Sequence, residues 1–361
     1  MRIIVEIGHP AHVHHFKNMI WELKRRGAEI KIVAKQKDVT IELLEAYGFE
    51  YEKIGLNYNG IWDKASSLIK IDYKLLNIAK KFKPDLFISR ASPHSAHVSR
   101  LINRPHVAFC DTEHATLNDL LSYPFTDIIC TPLCYKKKIK SEKHVTFDGY
   151  KELAYLHPKY FNPDPTILSD LGLKKDEKYI ILRFISWKAS HDTKSKGFDY
   201  ETKVNLINQL KDFGKIIILS EGHLEKEFEK YKFSGKPEKF HSLLYYATLC
   251  VSEGSTTAVE SALLGIPTVH FESFKQESDI VKDVTSVLGY LDELINKYEL
   301  FYTFSDQNCA LNKSLDIVRN KKYKKEILDK RDRIIREKID VTKFMVDFIE
   351  NYPHDFVEKS K

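Results

Sequence analysis

The sequence predicts an α/β protein built from two doubly wound parallel-sheet domains in tandem. Short apolar runs alternate with segments of helical spacing from residue 3 to residue 147. Alternation of that kind puts strands in a parallel sheet with helices over its faces. It stops at residues 156–165, LHPKYFNPDP, where three prolines in ten positions exclude an element interior. It resumes at residue 179. Domains are therefore expected at 1–160 and 161–340, with 341–361 a C-terminal helix that packs back on the first domain.

Each element rests on its own pattern. Residues 3–7 (IIVEI) read as a buried strand and 14–26 as a helix; 29–34 and 39–47 form the next pair. A short strand at 51–54 follows, then a helix at 68–82, a strand at 85–89, a helix at 93–102 and a strand at 106–110. Residues 116–121 read as a helix, and strands at 127–130 and 145–147 complete the first series. In the second series, strands at 179–185 and 215–220 flank a helix at 202–213, and a helix at 241–247 leads into 249–271, LCVSEGSTTAVESALLGIPTVHF. Beyond residue 271 the chain reads as mostly helical, with a charged helix near 321–338 and an amphipathic one near 341–349.

The totals narrow the classes. A chain of 361 residues suits two domains, and 43% hydrophobic with 30% charged residues describes a soluble globular protein. No apolar run approaches the roughly 20 residues that span a bilayer, and the first strand begins at Arg2 with no secretory signal before it. The five cysteines lack zinc-site spacing and read as reduced thiols in a cytoplasmic protein. The net charge of +6 is concentrated in Lys136, Lys137, Lys138, Lys140 and Lys143 and in residues 321–337. These lysines read either as solvated faces or as attraction to an anionic membrane surface. The segment 58–76, with Trp62, Leu68 and Ile69, reads either as ordinary helix packing or as part of such a surface. Nucleic acid is not expected as a partner, since no binding motif and no interleaved basic and aromatic strand is present.

In open α/β sheets ligands bind beyond the carboxyl ends of strands, so the loops there carry the functional reading. The most informative is 252–267. The strand ends at Ser252, Glu253 and Gly254; Ser255, Thr256 and Thr257 open a helix, and Gly265 and Pro267 end it. Free N–H groups at such a helix start suit a phosphate. Glu260, about one and a half turns in, suits the diol of a ribose. The loop after the first strand, Gly8-His9-Pro10-Ala11-His12-Val13-His14-His15, holds four histidines. It reads as a metal site, as a helix cap, or as a catalytic or sugar-binding loop, because imidazole is the readiest proton acceptor near neutrality. Arg90-Ala91-Ser92-Pro93-His94-Ser95 follows the strand at 85–89. Asp111-Thr112-Glu113-His114 follows the strand at 106–110, where two carboxylates either cap a helix or act as acid and base. Arg183 lies in an apolar strand, where a guanidinium wants an anion, and Ser186, Trp187 and Lys188 lie just beyond. Residues 220–223 (SEGH) end another strand, and 240–244 (FHSLL) suits a nucleobase contact.

With these residues in view, the chain resembles the GT-B superfamily, most nearly its MurG-like glycosyltransferases and UDP-N-acetylglucosamine 2-epimerases. The GHPAHVHHFKN start also resembles an uncharacterised archaeal and bacterial family of that superfamily, described as a domain of unknown function. The resemblance implies a GT-B fold, two Rossmann-like domains facing across a nucleotide-sugar cleft. Gly254, Glu260, Gly265 and Pro267 match the spacing G-x5-E-x4-G-x-P of the transferases. The match implies a ribose contact for Glu260 and phosphate contacts for Ser255, Thr256 and Thr257. Gly8, His9 and His12 align with the glycine-rich GGTGGH loop, and His12 with a histidine that handles the acceptor hydroxyl. Asp111 and Glu113 fall where epimerases carry H-x-E, without its histidine, and Arg183 near an arginine-bearing strand end. The expectation is a metal-independent, inverting glycosyltransferase with no cofactor beyond its nucleotide-diphosphate sugar. Its acceptor is a saccharide or a lipid-linked saccharide in cell-surface glycan or glycolipid synthesis. Epimerisation or hydrolysis of a UDP-sugar, and nucleotide-sugar binding without catalysis, stand as alternatives. The expected bearers are His12, Glu113 and Asp111 for chemistry, with Gly254, Ser255, Thr256, Thr257, Glu260, Arg183, Ser186, Gly8 and His9 for the nucleotide sugar.

Overall fold

A computed structural model describes residues 1–56, 61–113, 115–174, 176–185, 195–220, 224–274 and 288–352. The chain separates into two units. The first comprises 1–160, 288–290 and 338–361; the second comprises 161–287 and 291–337.

The first unit is a seven-stranded sheet, all parallel, in the order β3-β2-β1-β4-β5-β6-β7. Its strands are β1 (Arg2–Ile7), β2 (Glu29–Gln36), β3 (Tyr51–Leu56), β4 (Leu86–Ser89), β5 (His106–Phe109), β6 (Ile128–Pro132) and β7 (His144–Phe147). The helices between them are α1 (Pro10–Arg25), α2 (Thr40–Ala46), α3 (Ile61–Phe82), α4 (Pro93–Leu101) and α5 (Thr116–Ser122), followed later by the short α6 (Leu153–Leu156). Runs such as Ile3-Ile4-Val5 are fully buried because helices cover both faces of a parallel sheet. Glu6 interrupts that run and is itself buried: it accepts hydrogen bonds from Ser92 Oγ (2.6 Å), Ser95 Oγ (2.6 Å) and Ser95 N–H (3.1 Å), with Lys35 Nζ at 3.6 Å. Burial pushes this carboxyl up, but Lys35, His94 and the two serines outweigh it and hold it below its usual range. The last described helix, Val341–Asn351, packs on α1 and α6. Asn18 Nδ2 (2.7 Å) and Thr342 Oγ1 (2.8 Å) both donate to the carbonyl of Ala154.

The second unit opens with the short helix α7 (Thr166–Asp170) and forms a five-stranded parallel sheet in the order β10-β8-β11-β12-β14. The strands are β8 (Tyr179–Phe184), β10 (Lys215–Ser220), β11 (Leu249–Ser252), β12 (Thr268–Phe271) and β14 (Tyr302–Phe304), with a two-residue antiparallel pair, β9 (Ser195–Lys196) and β13 (Ser273–Phe274), beside it. Helices α8 (Tyr200–Leu210), α9 (Phe240–Tyr245) and α10 (Ser255–Leu263) are followed by Gln307–Arg319 and Lys322–Glu337. Gly265 ends α10 at φ +79, a conformation that favours glycine, and a Cβ there would push the Leu328 methyl aside.

Several elements differ from the sequence expectation. Helix α1 begins at Pro10, four residues earlier than its apolar spacing suggests, because proline at the first helical position is a start and not a break. Helix α3 begins at Ile61 and not at residue 68. Strand β14 was not expected: three residues, Tyr-Thr-Phe, are too short to show a period.

Candidate functional site

In each sheet the strand order reverses at one neighbouring pair, β1 with β4 and β8 with β11. Segments leaving the carboxyl ends of such a pair diverge and leave room for a ligand. Both histidine and serine/threonine motifs sit at these two points.

In the first unit, the segment after β1 enters α1 at once. His9 is the N-cap, extended (φ −160), and its Nδ1 accepts the N–H of Ala11 at 3.2 Å. His12 lies in the first turn and its Nδ1 accepts the N–H of Gly8 at 3.2 Å. The two rings are 6.0 Å apart. A Cβ on Gly8 would meet His12 only at 3.8 Å, an ordinary contact, so space alone does not demand glycine there. The other two histidines turn inward. His14 packs on Tyr47 and Tyr155; His15, 2% exposed, stacks on Phe16 and meets the edge of Phe109. Neither ring nitrogen of His15 has a hydrogen-bond partner among the described residues. Burial, with the charges of Lys37, Arg90 and Lys151, pushes His9 down to about 3. Burial and Arg90 hold His12 and His15 well below the usual histidine range.

Arg90, directly after β4, ion-pairs with Asp111, two residues after β5. Lys151 Nζ lies 2.7 Å from the other Asp111 oxygen and 2.7 Å from Glu152. All four side chains are nearly buried, and pairing of this kind is what permits charges in an interior. The Lys151 ammonium also sits 5.1 Å from the ring centroid of Tyr290, a phenol that burial pushes up to about 12. Glu113 is placed differently from Asp111. Its Oε1 accepts the N–H of Gly289 (2.9 Å) and of Lys136 (3.3 Å), while its buried Oε2 has no partner among the described residues. Burial raises this carboxyl; the N–H groups of Gly289 and Lys136, its own N–H and the Lys136 charge only partly oppose it. The backbone strain lies here too: Ala91, beside Arg90, takes φ +51.

In the second unit, Gly254 is the N-cap of α10 and brings no side-chain cap. Ser252 Oγ accepts the N–H of Gly254 at 3.0 Å and donates to its carbonyl at 2.8 Å, which fixes the turn. Ser255 and Thr256 lie at the helix tip; Ser255 Oγ is 3.4 Å from His270 Nε2, and Thr257 is buried. Glu260 is only 4% exposed, and His241 Nε2, on α9, lies 3.0 Å from its Oε1. Glu253 accepts the N–H of Ile185 and of Phe198, both at 2.8 Å, and so ties the end of β8 to the segment before α8. Arg183 is in β8 opposite Ser252 of β11. His114, Ser186, Trp187, Lys188 and residues 221–223 lie outside the described residues.

The structure thus brings His9, His12, Arg90 and Asp111 to one switch point and Arg183, Gly254 and Ser255 to the other. The sequence reading did not single out Lys151, Glu152 or Tyr290; it gave 240–244 to a nucleobase contact, whereas the structure puts these residues in α9 with His241 buried against Glu260. Lys151 and Tyr290 come from distant segments that nothing in their own neighbourhoods marks.

A family profile described as protein of unknown function DUF354 matches residues 1–353. The chain belongs to the DUF354 family. This DUF354 chain is 26% identical to the uncharacterized protein MJ0665 of Methanocaldococcus jannaschii over 314 residues, 81% of this chain and 91% of that one. Among solved structures it is similar to the UDP-GlcNAc 2-epimerase of Neisseria meningitidis bound to UDP-GlcNAc (TM-score 0.64, 12% identity, 91% and 94% covered). The UDP-GlcNAc 2-epimerase of Methanocaldococcus jannaschii is similar too (0.63, 13%, 89% and 94%), as is the spinosyn forosaminyltransferase SpnP (0.61, 12%, 99% and 99%). At such identities the likeness shows the fold, which is GT-B.

Proposed function

We propose that this chain is a glycosyltransferase that moves a sugar from a nucleotide-diphosphate sugar to an acceptor hydroxyl, with inversion and without a metal. The observation that carries the reading is the start of α10: a helix with no side-chain cap from Gly254, preceded by a fixed turn, with a carboxylate at Glu260 in the transferase spacing. The diphosphate takes the N–H groups of Ser255–Thr257, helped by the helix dipole and Arg183. Glu260 takes the ribose, and His241 holds the carboxylate in place for it. Gly8 and His9 line the first unit's switch point, where the acceptor enters. His12 and Glu113 are the two candidates to take the hydroxyl proton, and Asp111 serves them by fixing Arg90 and Lys151.

The acceptor is a lipid-linked saccharide on this reading, met at an anionic cytoplasmic membrane face. Helix α5 exposes Leu117 (70%) and Leu120 (68%), with Phe125 just beyond. Lys137 pairs with Asp119 of the same helix, and Lys143 donates to the carbonyl of Thr126 at 2.8 Å, so the lysine segment borders this apolar face.

Calorimetry with UDP-, GDP- and CDP-sugars tests the donor site. Glu260→Ala is expected to weaken donor binding at least tenfold. Unchanged affinity removes Glu260 from the site. Consumption of the donor with no acceptor present replaces transfer by epimerisation or hydrolysis.

A further inference from the structure

Helix α1 fixes what its first two histidines can do. An N–H group can only donate, so the ring nitrogen facing it must accept. Nδ1 of His9 faces the N–H of Ala11 and Nδ1 of His12 faces that of Gly8, each at 3.2 Å. A neutral imidazole carries one proton, which is then on Nε2 in both rings. Neither histidine has a lone pair left for a proton from substrate: one is engaged by backbone and the other nitrogen is already protonated. The largest charge effects on these rings come from cations, Arg90 on both, Lys37 and Lys151 on His9 and Lys35 on His12, with the neighbouring His9 and His15 also acting on His12. A third imidazole, His15, is buried in the same helix with both ring nitrogens unpartnered among the described residues.

Glu113 has the opposite character. One carboxylate oxygen is held by two backbone N–H groups, and the other is buried with no partner among the described residues. The Tyr290 ring lies 5.1 Å from the Lys151 ammonium and its neighbour Gly289 donates to Glu113 Oε1, which joins the two halves of the cluster.

We infer that His9 and His12 are neutral hydrogen-bond donors through Nε2 to an anionic oxygen of the bound substrate, and that Glu113 Oε2 is the proton acceptor. The inference rests on the transferase reading for its chemistry. As the acceptor oxygen bonds to the anomeric carbon, the bond from that carbon to the diphosphate oxygen breaks and its electron pair leaves with the diphosphate. The hydroxyl proton passes to Glu113 Oε2. His12 binds and orients, a neutral donor adding directional contact where a charged one would be costly to bury.

The full-length chain with 15N-labelled histidine tests the donor assignment without any substrate. Long-range 1H–15N correlation, with His9→Gln and His12→Gln used to assign the rings, is expected to show the Nε2–H tautomer for both with no titration from pH 8 to pH 5. A Nδ1–H tautomer, or charging of either ring near pH 6.5, overturns it whatever the enzyme's substrate proves to be. Given a working transfer assay, His12→Gln, which keeps an N–H near the Nε2 position, is expected to retain at least ten times the kcat/KM of His12→Ala. Glu113→Gln is expected to lose at least a thousandfold in kcat with donor affinity kept, and to abolish the acid limb of the pH profile. Equal loss in the two His12 variants, or an acid limb that survives in Glu113→Gln, overturns the roles. Failure of every sugar nucleotide to bind would overturn the transferase reading and leave the tautomer result standing.

Discussion

At the scale of single residues, placement decides chemistry more than residue type does. Asp111 and Glu113 are two positions apart, yet Asp111 is clasped by Arg90 and Lys151 while Glu113 keeps a buried oxygen with no partner among the described residues. The raised carboxyl of Glu113 makes a stability prediction. Its folded form prefers the proton, so its contribution is fully present below the unfolded pKa and is lost as pH rises through the raised folded value. Glu113→Gln is therefore expected to raise the thermal midpoint at pH 7 while turnover falls; a lowered midpoint in a calorimetric scan would show the carboxylate to be stabilising. The sequence put these residues at a strand end and gave both to the chemistry without telling them apart. Two carboxylates beside each other look alike in a string of letters, and the cations that distinguish them come from residues 90 and 151.

At the scale of elements, strand and helix order was legible because apolar runs and helical spacing repeat over many residues. What was not legible was the start of α1. Reading Pro10 as part of a loop left four histidines together; with proline as the first helical residue, His9 becomes a cap, His12 a first-turn donor, and His14 and His15 core residues. The cap has its own consequence. His9→Ala removes the bond to Ala11 N–H and is expected to cost about 1 kcal/mol in chemical denaturation, whereas His9→Ser, a good N-cap, restores most of it. At the other end of a helix, Gly265→Ala forces a side chain into φ +79 and against Leu328, and is expected to cost about 1–3 kcal/mol by the same measurement. No loss in either would mean that these turns relax freely.

At the scale of the whole molecule, buried histidines and surface lysines set the response to solution conditions. His9 and His106 are held down to about 3 and about 4, with His12 and His15 also well below their usual range, burial being the main cause for each. Unfolded histidine takes a proton near pH 6.5, so below that pH the unfolded chain binds more protons and stability falls as pH falls. The slope approaches about 1.4 kcal/mol per pH unit for each such histidine, and unfolding curves between pH 7 and pH 5 measure it; a flat profile would contradict neutral histidines in the fold. The lysine-bordered face of α5 predicts that the chain sediments with vesicles containing anionic lipid at low salt, and that Leu117→Ser with Leu120→Ser releases it. Retention on neutral vesicles by the double variant would count against that surface. The discontinuous first unit has a last consequence, for synthesis. Val341, Met345, Val346 and Ile349 fill a groove on α1 and α6 that residues 1–160 leave open. A nascent chain emerging from the ribosome therefore carries that greasy furrow uncovered through the making of some 180 further residues, a long interval in which a chaperone has something to hold.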